Sequence, residues 1–365
     1  MVDKLQAKLY NIGKNIILWE VVMGFYDGTK LLSLRDINGQ RPELYISTSN
    51  RNGGKTTYFN RMVLNGWKRR RKKFAVLVRF KYELEGIETQ FFKGIQPLFF
   101  SNDEMTAKIM KKGTYASLQL NGEECGYALP INCADSIKKI SHIFNDVAII
   151  LEDEFQSESN NYCPNEVQKF QSIHTSIARG QGEQVRYVPV ILISNPVTLL
   201  NPYYIALGIS HRLKNDMTFV RGDGFVLEQG YVESAAKAQA ESAFNRAFAG
   251  SAYINYAAQG VYLNDNMSFI EQPKGKTNYI ATLRYNGKWF AIREFPELGF
   301  MYCDDRVDSS FPIRIALTTQ DHAPMCRLKA SGDFFLATLR GYFDNGCFRF
   351  KNIECKEAVF VALSY

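Results

Sequence analysis

No Cys-x-x-Cys pair occurs in the 365 residues, and the seven cysteines (Cys125, Cys133, Cys163, Cys303, Cys326, Cys347 and Cys355) are scattered and odd in number. Neither a zinc cage nor a disulfide framework is indicated, and a reducing cytoplasm is the expected compartment. Histidine is scarce as well. His142, His174, His211 and His322 show no metal-ligand spacing, so packing or surface roles are expected of them. The apolar stretch from Ile16 to Met23 is broken by Glu20. It is far shorter than the ~20 residues a bilayer span requires, and no small-residue cleavage pattern follows it. Neither a membrane nor a targeting segment is expected, and the chain shows no internal repeat or low-complexity tract.

What is present suits a globular protein of more than one core. A length of 365 residues exceeds what one hydrophobic core usually serves, so a main α/β domain with a smaller companion is expected. Hydrophobic residues make up 46% of the chain and charged residues 22%, which excludes wholesale disorder. The net charge of +7 favours an anionic partner, but many proteins with such a surplus never touch nucleic acid, so charge alone assigns no function.

The order of elements carries more. Leu44 to Thr48 (LYIST) has the β-branched and aromatic content of a strand and runs into the polar, glycine-containing SNRNGGKTT. From Thr56, the residues Phe59, Met62 and Val63 fall at helical spacing, and Gly66 offers a C-terminal stop. The basic run Lys68 to Lys73 then leads into Phe74 to Phe80, a near-continuous apolar strand of the kind buried in a parallel sheet. Ser117 to Leu120 and Gly126 to Leu129 flank Asn121-Gly122, which predicts a hairpin in a small antiparallel insertion. Asp146 to Leu151 and Tyr187 to Ser194 read as apolar strands and Asn165 to Ile177 as a helix, giving a wound α/β sheet through about residue 225. Val232 to Ala249 has the composition of a connecting helix. Asn286-Gly287, between alternating runs, predicts another hairpin in a C-terminal α+β domain. The expected division is an ATPase-like domain over 1–228, a helical linker over 229–252 and a smaller domain over 253–365.

Ser49 to Thr56 matches the phosphate-loop pattern, except that Ser49 stands where the first glycine is usual. Gly53 and Gly54 let backbone N–H groups approach phosphates, the following helix aims its positive end at them, and Lys55 can reach β and γ oxygens. Thr56 can offer its hydroxyl to magnesium. Taken alone, GGKTT also fits a glycine-containing surface turn. A second motif lies where the mechanism needs one: the apolar Val147 to Leu151 delivers Glu152, Asp153 and Glu154 at a strand end, where open α/β sheets place ligands. Asp153 would organise a magnesium shell and Glu154 would act as general base on the attacking water. A solvated acidic loop after a core strand is the bland alternative.

The run NNYCPNEVQKF, followed by IARGQGEQVRYVPVILISNPVTLLNPYY, resembles the packaging ATPases of phi29-type podophages, most clearly from Ile46 to Tyr204. That resemblance implies a P-loop ATPase core of the ASCE type with a mostly parallel sheet. It also implies a helical linker and a C-terminal domain resembling a vestigial ribonuclease H-like nuclease. It further implies ATP and Mg2+ as cofactors, and a homo-oligomeric ring, normally of five subunits, on the portal of an empty capsid in the host cytoplasm. There, hydrolysis drives double-stranded DNA inward, and in some relatives a scaffold RNA joins the complex. The family's trans-acting arginine falls on Arg179, its sensor on Asn195, and a phosphate-loop arginine on Arg51, beside Asn52, Gly53, Gly54, Lys55, Thr56 and Thr57. Arg79 and Lys81 resemble a basic pair that relays nucleotide state. A surface arginine at a helix C-terminus and a turn-forming asparagine before Pro196 are the plain alternatives for Arg179 and Asn195.

Moving a duplex requires phosphate contacts rather than base readout, and Trp67 to Lys73 (WKRRRKK) is the strongest local candidate, although charge runs are commonly just solvated. Arg284, Lys288, Arg293, Arg340, Arg349 and Lys351 add positive charge further on. The first C-terminal strand, Tyr279 to Tyr285, carries no carboxylate, and Asp304, Asp305 and Asp308 fall in an expected loop. Nuclease cleavage is therefore not expected. A helicase-like ATPase and a nucleotide-dependent ring protein with little turnover are the rival readings.

Overall fold

The computed structural model describes residues 25–159, 161–180, 182, 184–210, 212–213, 217–248, 257, 269–330 and 332–363. The apolar stretch from Ile16 to Met23, His211 and the end of the expected linker lie outside the described residues. Two compact units emerge: Met1–Val197 with Lys214–Leu263, and Thr198–Leu213 with Asn264–Tyr365. Residues 198–213 group with the second unit, whereas a sequence boundary at 228 keeps them in the first.

The first unit is built on a nine-stranded sheet: β1 (Leu44–Thr48), β2 (Lys73–Val78), β3 (Met105–Met110), β4 (Tyr115–Leu120), β5 (Glu123–Pro130), β6 (Val147–Asp153), β7 (Val190–Ser194), β8 (Phe219–Arg221) and β9 (Phe225–Gln229). Their order is β3-β4-β5-β2-β6-β7-β1-β9-β8. The six central strands from β5 to β9 are mutually parallel, and β3, β4 and β8 close the two edges antiparallel. Register places Asp153 opposite Ile193 and Thr48 opposite Ser194, so β1, β6 and β7 all end on one edge of the sheet. Their burial on both faces explains the continuous apolar runs.

Helix α1 (Lys55–Arg70) lies on this sheet through Phe59, Val63, Leu64 and Trp67, all buried. It runs through Gly66, correcting the expected stop there. Trp67 is still packed in the core one residue later, and three cations in the last turn favour the helix dipole. The stop is Arg71, in the left-handed conformation at φ 54°. Half of the basic run therefore belongs to a helix rather than a loop. The hairpin at Asn121-Gly122 forms with both residues at positive φ, as its turn type demands. It is no separate insertion, because β5 pairs in parallel with β2 and continues the main sheet. The edge strand β3 and the short helices Ile87–Phe92 and Gln96–Phe99 were not anticipated.

Beyond β6, helix α2 (Glu166–Ile177) buries Phe170, Ile173 and Ile177. The stretch expected to be a linker holds α3 (Glu233–Glu241), with Ala235 and Ala236 buried, followed by a short helix Ala243–Ala247, all within the first unit.

The second unit carries a six-stranded sheet of β10 (Asn278–Tyr285), β11 (Lys288–Phe295), β12 (Phe300–Asp304), β13 (Arg314–Ala316), β14 (Arg327–Leu328) and β15 (Phe348–Phe350), in the order β14-β13-β10-β11-β12-β15. Strands β10 to β12 form an antiparallel meander turned by Asn286-Gly287, and β13 and β14 add in parallel beside β10. At the other edge β15 adds in parallel beside β12. Helices α4 (Phe334–Asp344) and α5 (Ile353–Leu363) cover the sheet through Leu336, Leu339, Ala358, Val359 and Ala362.

Candidate nucleotide site

The end of β1 feeds the loop 49–54 into the N-terminus of α1, and two glycines make the loop possible. Gly54 adopts φ +97°, which L side chains rarely take, and a Cβ on Gly53 would lie 2.8 Å from Val232 Cγ2. Asn52 is also left-handed at φ 61°, which asparagine tolerates better than most residues. The departure at Ser49 has a clear role: its hydroxyl accepts a hydrogen bond of 2.8 Å from Lys55 Nζ, which also donates to the Ser49 carbonyl at 3.0 Å. The Lys55 ammonium thus sits buried against the loop backbone. Burial pushes its pKa down to about 8, opposed by Asp153 and Glu228 and reinforced by Arg51.

Thr56 and Asp153, 97 positions apart, meet directly: the Thr56 hydroxyl donates to Asp153 Oδ2 at 2.8 Å. Removal from water pushes the Asp153 carboxyl up to about 6; the Thr56 hydroxyl opposes this, Glu154's charge adds to it, and Lys55 pulls it back. Glu154 holds φ 59°, an uncommon conformation for a side chain of its length, and is exposed. Arg79 fixes that turn by donating to the carbonyls of Glu154 at 3.2 Å and Phe155 at 2.9 Å. The Nε of Arg79 donates to both oxygens of the buried Glu166 at 3.0 Å, tying the acidic turn to α2.

One cavity of about 540 Å3 unites Arg51 to Tyr58 with Asp153, Glu154, Ser194 and Asn195. Asn195 Oδ1 lies 3.4 Å from Lys55 Nζ. The loop amides and Lys55 suit a chain of phosphates, while the Thr56 hydroxyl and Asp153 carboxylate are hard oxygen donors suited to magnesium. Arg51 is ion-paired with Glu158. Arg179 is not among the residues around this cavity: it is exposed beyond the end of α2 and donates to Ser141 Oγ at 2.5 Å.

Three features escaped the sequence. Glu228, buried on β9, accepts hydrogen bonds from Tyr26 (2.6 Å) and Ser47 (3.1 Å) and faces Lys55 electrostatically. Asn50, fully buried, clasps Val232 by accepting from its N–H at 2.8 Å and donating to its carbonyl at 3.0 Å. Gln239 on α3 donates to the Arg51 carbonyl at 2.7 Å. The single acid in FVLEQ was the one available signal for Glu228, since an uncompensated carboxylate in a core strand is costly; its partners 181 and 202 residues away were invisible.

Half of the expected basic run is engaged in ion pairs. Lys68 pairs with Asp103, Arg71 with Glu123, and Lys73 with Glu124 and Asp146. In the second unit Lys288, Arg293, Arg349 and Lys351 pair with Glu354, Asp304, Glu271 and Asp305. Asp304 ends a strand rather than lying in a loop, because its buried carboxylate is compensated by Arg293 at 3.0 Å. Among the described residues no group of three or more His, Cys, Asp or Glu could hold a metal ion, no helix is long and apolar enough to cross a membrane, and the seven cysteines are free thiols.

Residues 23–364 match the family described as Podovirus DNA encapsidation protein (Gp16). The DNA packaging protein of Bacillus phage phi29 is 25% identical over 332 residues, covering 90% of this chain and 93% of that one. Among solved structures, the bacteriophage phi29 viral genome packaging motor assembly aligns with a TM-score of 0.56 at 24% identity, covering 93% of this chain and 99% of that one. The Phi-28 gp11 DNA packaging motor aligns with a TM-score of 0.62 at 15% identity, covering 93% and 98%. These two likenesses establish the shared fold. Because the family match begins before the phosphate loop and spans all of α5, it takes in both units, and the chain belongs to the podovirus DNA encapsidation protein family.

Proposed function

We propose that this chain hydrolyses ATP to drive double-stranded DNA into an empty capsid, working as a homo-oligomeric ring at the portal. The observation that carries the reading is the 2.8 Å contact between Thr56 and Asp153, which joins a phosphate loop to a strand-end acid at the edge where α/β sheets bind ligands. In this reading the amides of Asn52, Gly53, Gly54 and Lys55 cradle the phosphates, with Thr57 on the same helix terminus. The Lys55 ammonium exchanges its loop carbonyls for β and γ oxygens. The Thr56 hydroxyl and the Asp153 carboxylate would hold magnesium, which would supply neutralisation of phosphate charge. Glu154 accepts the proton of the attacking water, and Asn195 orients that water from the end of β7.

Arg179, exposed and outside its own cavity, is suited to reach the γ-phosphate of a neighbouring subunit, where such fingers contribute ~10³ to 10⁵ in turnover. Arg51, paired with Glu158 at the cavity rim, is placed to answer the same charge. The second unit acts in DNA handling without cutting, since its strand-borne Asp304 is neutralised by Arg293. The test is turnover with and without duplex DNA, followed by protection of DNA from added nuclease in the presence of purified empty capsids. DNA-stimulated hydrolysis that Lys55→Ala or Glu154→Gln abolishes, together with ATP-dependent protection, is expected. Slow turnover indifferent to DNA in an assembled ring would refute the reading.

A further inference from the structure

We infer that the β3–β4 turn, with Lys111 and Lys112 at its tip and Lys81 beneath it, is a contact for the phosphate backbone of duplex DNA. The inference rests on the translocase reading above and gives it a location.

The turn is unusual in its backbone. Lys111 and Lys112 stand at φ 49° and 56°, followed by Gly113 at 82°, so two long side chains occupy a conformation that glycine and asparagine normally supply. The strain is held in place locally: Gly113 N–H donates to the Met110 carbonyl at 2.9 Å and the Thr114 hydroxyl to the Lys111 carbonyl at 2.9 Å. Gly113 itself stands at φ 82°, where an L side chain is strained, and the flexible stem of Lys81 crosses it. The result gathers Lys81, Lys111 and Lys112 near one tip, with Lys108 on the adjoining edge strand, and all four are exposed. None of the four has an ion-pair partner among the described residues, in contrast to Lys68, Arg71 and Lys73. Tyr82, 69% exposed and stacked on Phe80, stands next to Lys81.

Topology decides between this tip and the run 67–73. Helix α1 starts at the phosphate loop and runs back along the sheet for 16 residues, ~24 Å at 1.5 Å per residue, so Lys68 to Lys73 lie at the edge opposite the nucleotide cavity. The β3–β4 turn lies on the nucleotide edge. Pro130 pairs with Val78 and Tyr115 with Met110, so residues 111–114 stand level with the end of β2. The end of β2 is in turn level with Asp153 on β6. From β6 to β4 is three strand spacings, or about 14 Å. The same edge holds the covalent route between the two: Arg79 grips the carbonyls of Glu154 and Phe155, and two residues later Lys81 supports the lysine tip. A grip on DNA that must tighten and release with hydrolysis belongs where the acidic turn can act on it. Unpaired lysines on a rigid turn, with no aligned acceptors for base edges, suit phosphates rather than sequence.

The experiment measures binding of the full-length protein to a short duplex as a function of salt. Lys111→Asn/Lys112→Asn removes two charges and keeps residues that tolerate positive φ. Arg69→Gln/Arg70→Gln removes two charges at the far edge. Each phosphate contact contributes about 0.9 to the slope of log affinity against log salt, so the first variant should lower the slope per bound subunit by about 1.8. It should also lose most DNA stimulation while keeping basal turnover, and Lys111→Arg/Lys112→Arg should restore the slope. An unchanged slope, or an equal loss in the far-edge variant, overturns the assignment while leaving the translocase reading intact. A wild-type protein that neither binds duplex nor responds to it overturns both.

Discussion

Replacing Glu228 with glutamine should increase the number of protons taken up when nucleotide binds near pH 8. Burial lowers the Lys55 ammonium to about 8, so about half of these groups are neutral at pH 8 and about a tenth at pH 7. Only the charged form pairs with phosphate oxygens. Binding of the magnesium complex should therefore take up ~0.5 proton from Lys55 at pH 8 and ~0.1 at pH 7. Asp153 works in the opposite sense: its carboxyl, pushed up to about 6, must ionise to meet a dication, releasing ~0.5 proton at pH 6 and ~0.1 at pH 7. Net exchange should change sign near pH 7. Glu228 is one of the two charges that hold the Lys55 pKa up, so its loss lowers that pKa further and raises uptake at pH 8. Titration calorimetry in buffers of different ionisation enthalpy reads the number directly as a slope. The reasoning is refuted if the wild type takes up no protons at pH 8, or if Glu228→Gln leaves uptake unchanged. The same shift carries a stability signature without nucleotide. Because the folded-state value lies below the ordinary 10.5, the charged lysine disfavours the fold, and its contribution should improve as pH rises from about 8 to 10.5.

Other perturbations follow from the same geometry. Gly53→Ala drives a methyl group into Val232 and should cost ~1–3 kcal/mol of strain while abolishing binding of a fluorescent ATP analogue; normal affinity would show that the loop has room to spare. Asn50→Ala strands the N–H of Val232 in a buried setting, while the Val232 carbonyl keeps its bond from Ala236 N–H, and should lower stability by ~1–3 kcal/mol, read as an earlier transition in urea. Arg179→Ala subunits mixed with Glu154→Gln subunits should regain hydrolysis, since each supplies what its neighbour lacks; no recovery at any ratio would place Arg179 outside trans catalysis. Thr56→Ala removes the donor to Asp153 and one magnesium ligand, so turnover should fall and recover only with excess magnesium, if at all. Undiminished activity at low magnesium would remove Thr56 from the metal shell.

How much of this was legible depended on whether a signal was local. β1, the phosphate loop and α1 could be read because a strand, a pair of glycines and a helical repeat succeed one another within 27 residues. β6 and β7 could be read because strands buried on both faces are uninterrupted apolar runs. β3 was missed for the opposite reason: as an edge strand it exposes Thr106, Lys108 and Ile109, and its alternation is too weak to separate from a loop. Gly66 misled because a glycine's meaning depends on packing: the core contact of Trp67 outweighs the ~1 kcal/mol a glycine costs within a helix. The hairpin was found but misplaced, since only pairing with β2 reveals that β5 extends the main sheet. The motif residues of the candidate site were likewise visible one by one. Glu228, Asn50 and Gln239 were not, because their significance lies in partners some 180 or more positions away.

The hold of Asn50 and Gln239 on the stretch after β9 determines where this protein can be cut. A minimal catalytic fragment drawn to the last strand would end at Gln229 and discard Val232, leaving Gly53 without the wall it rests on and removing both hydrogen bonds that Asn50 makes to Val232. A fragment carried through Gln239 keeps the wall, both anchors and the turn of helix that joins them. Chimeras that exchange the second unit face the same constraint. Their splice belongs downstream of α3, for what looks like tether on paper is, in space, the outer half of the phosphate loop's own housing.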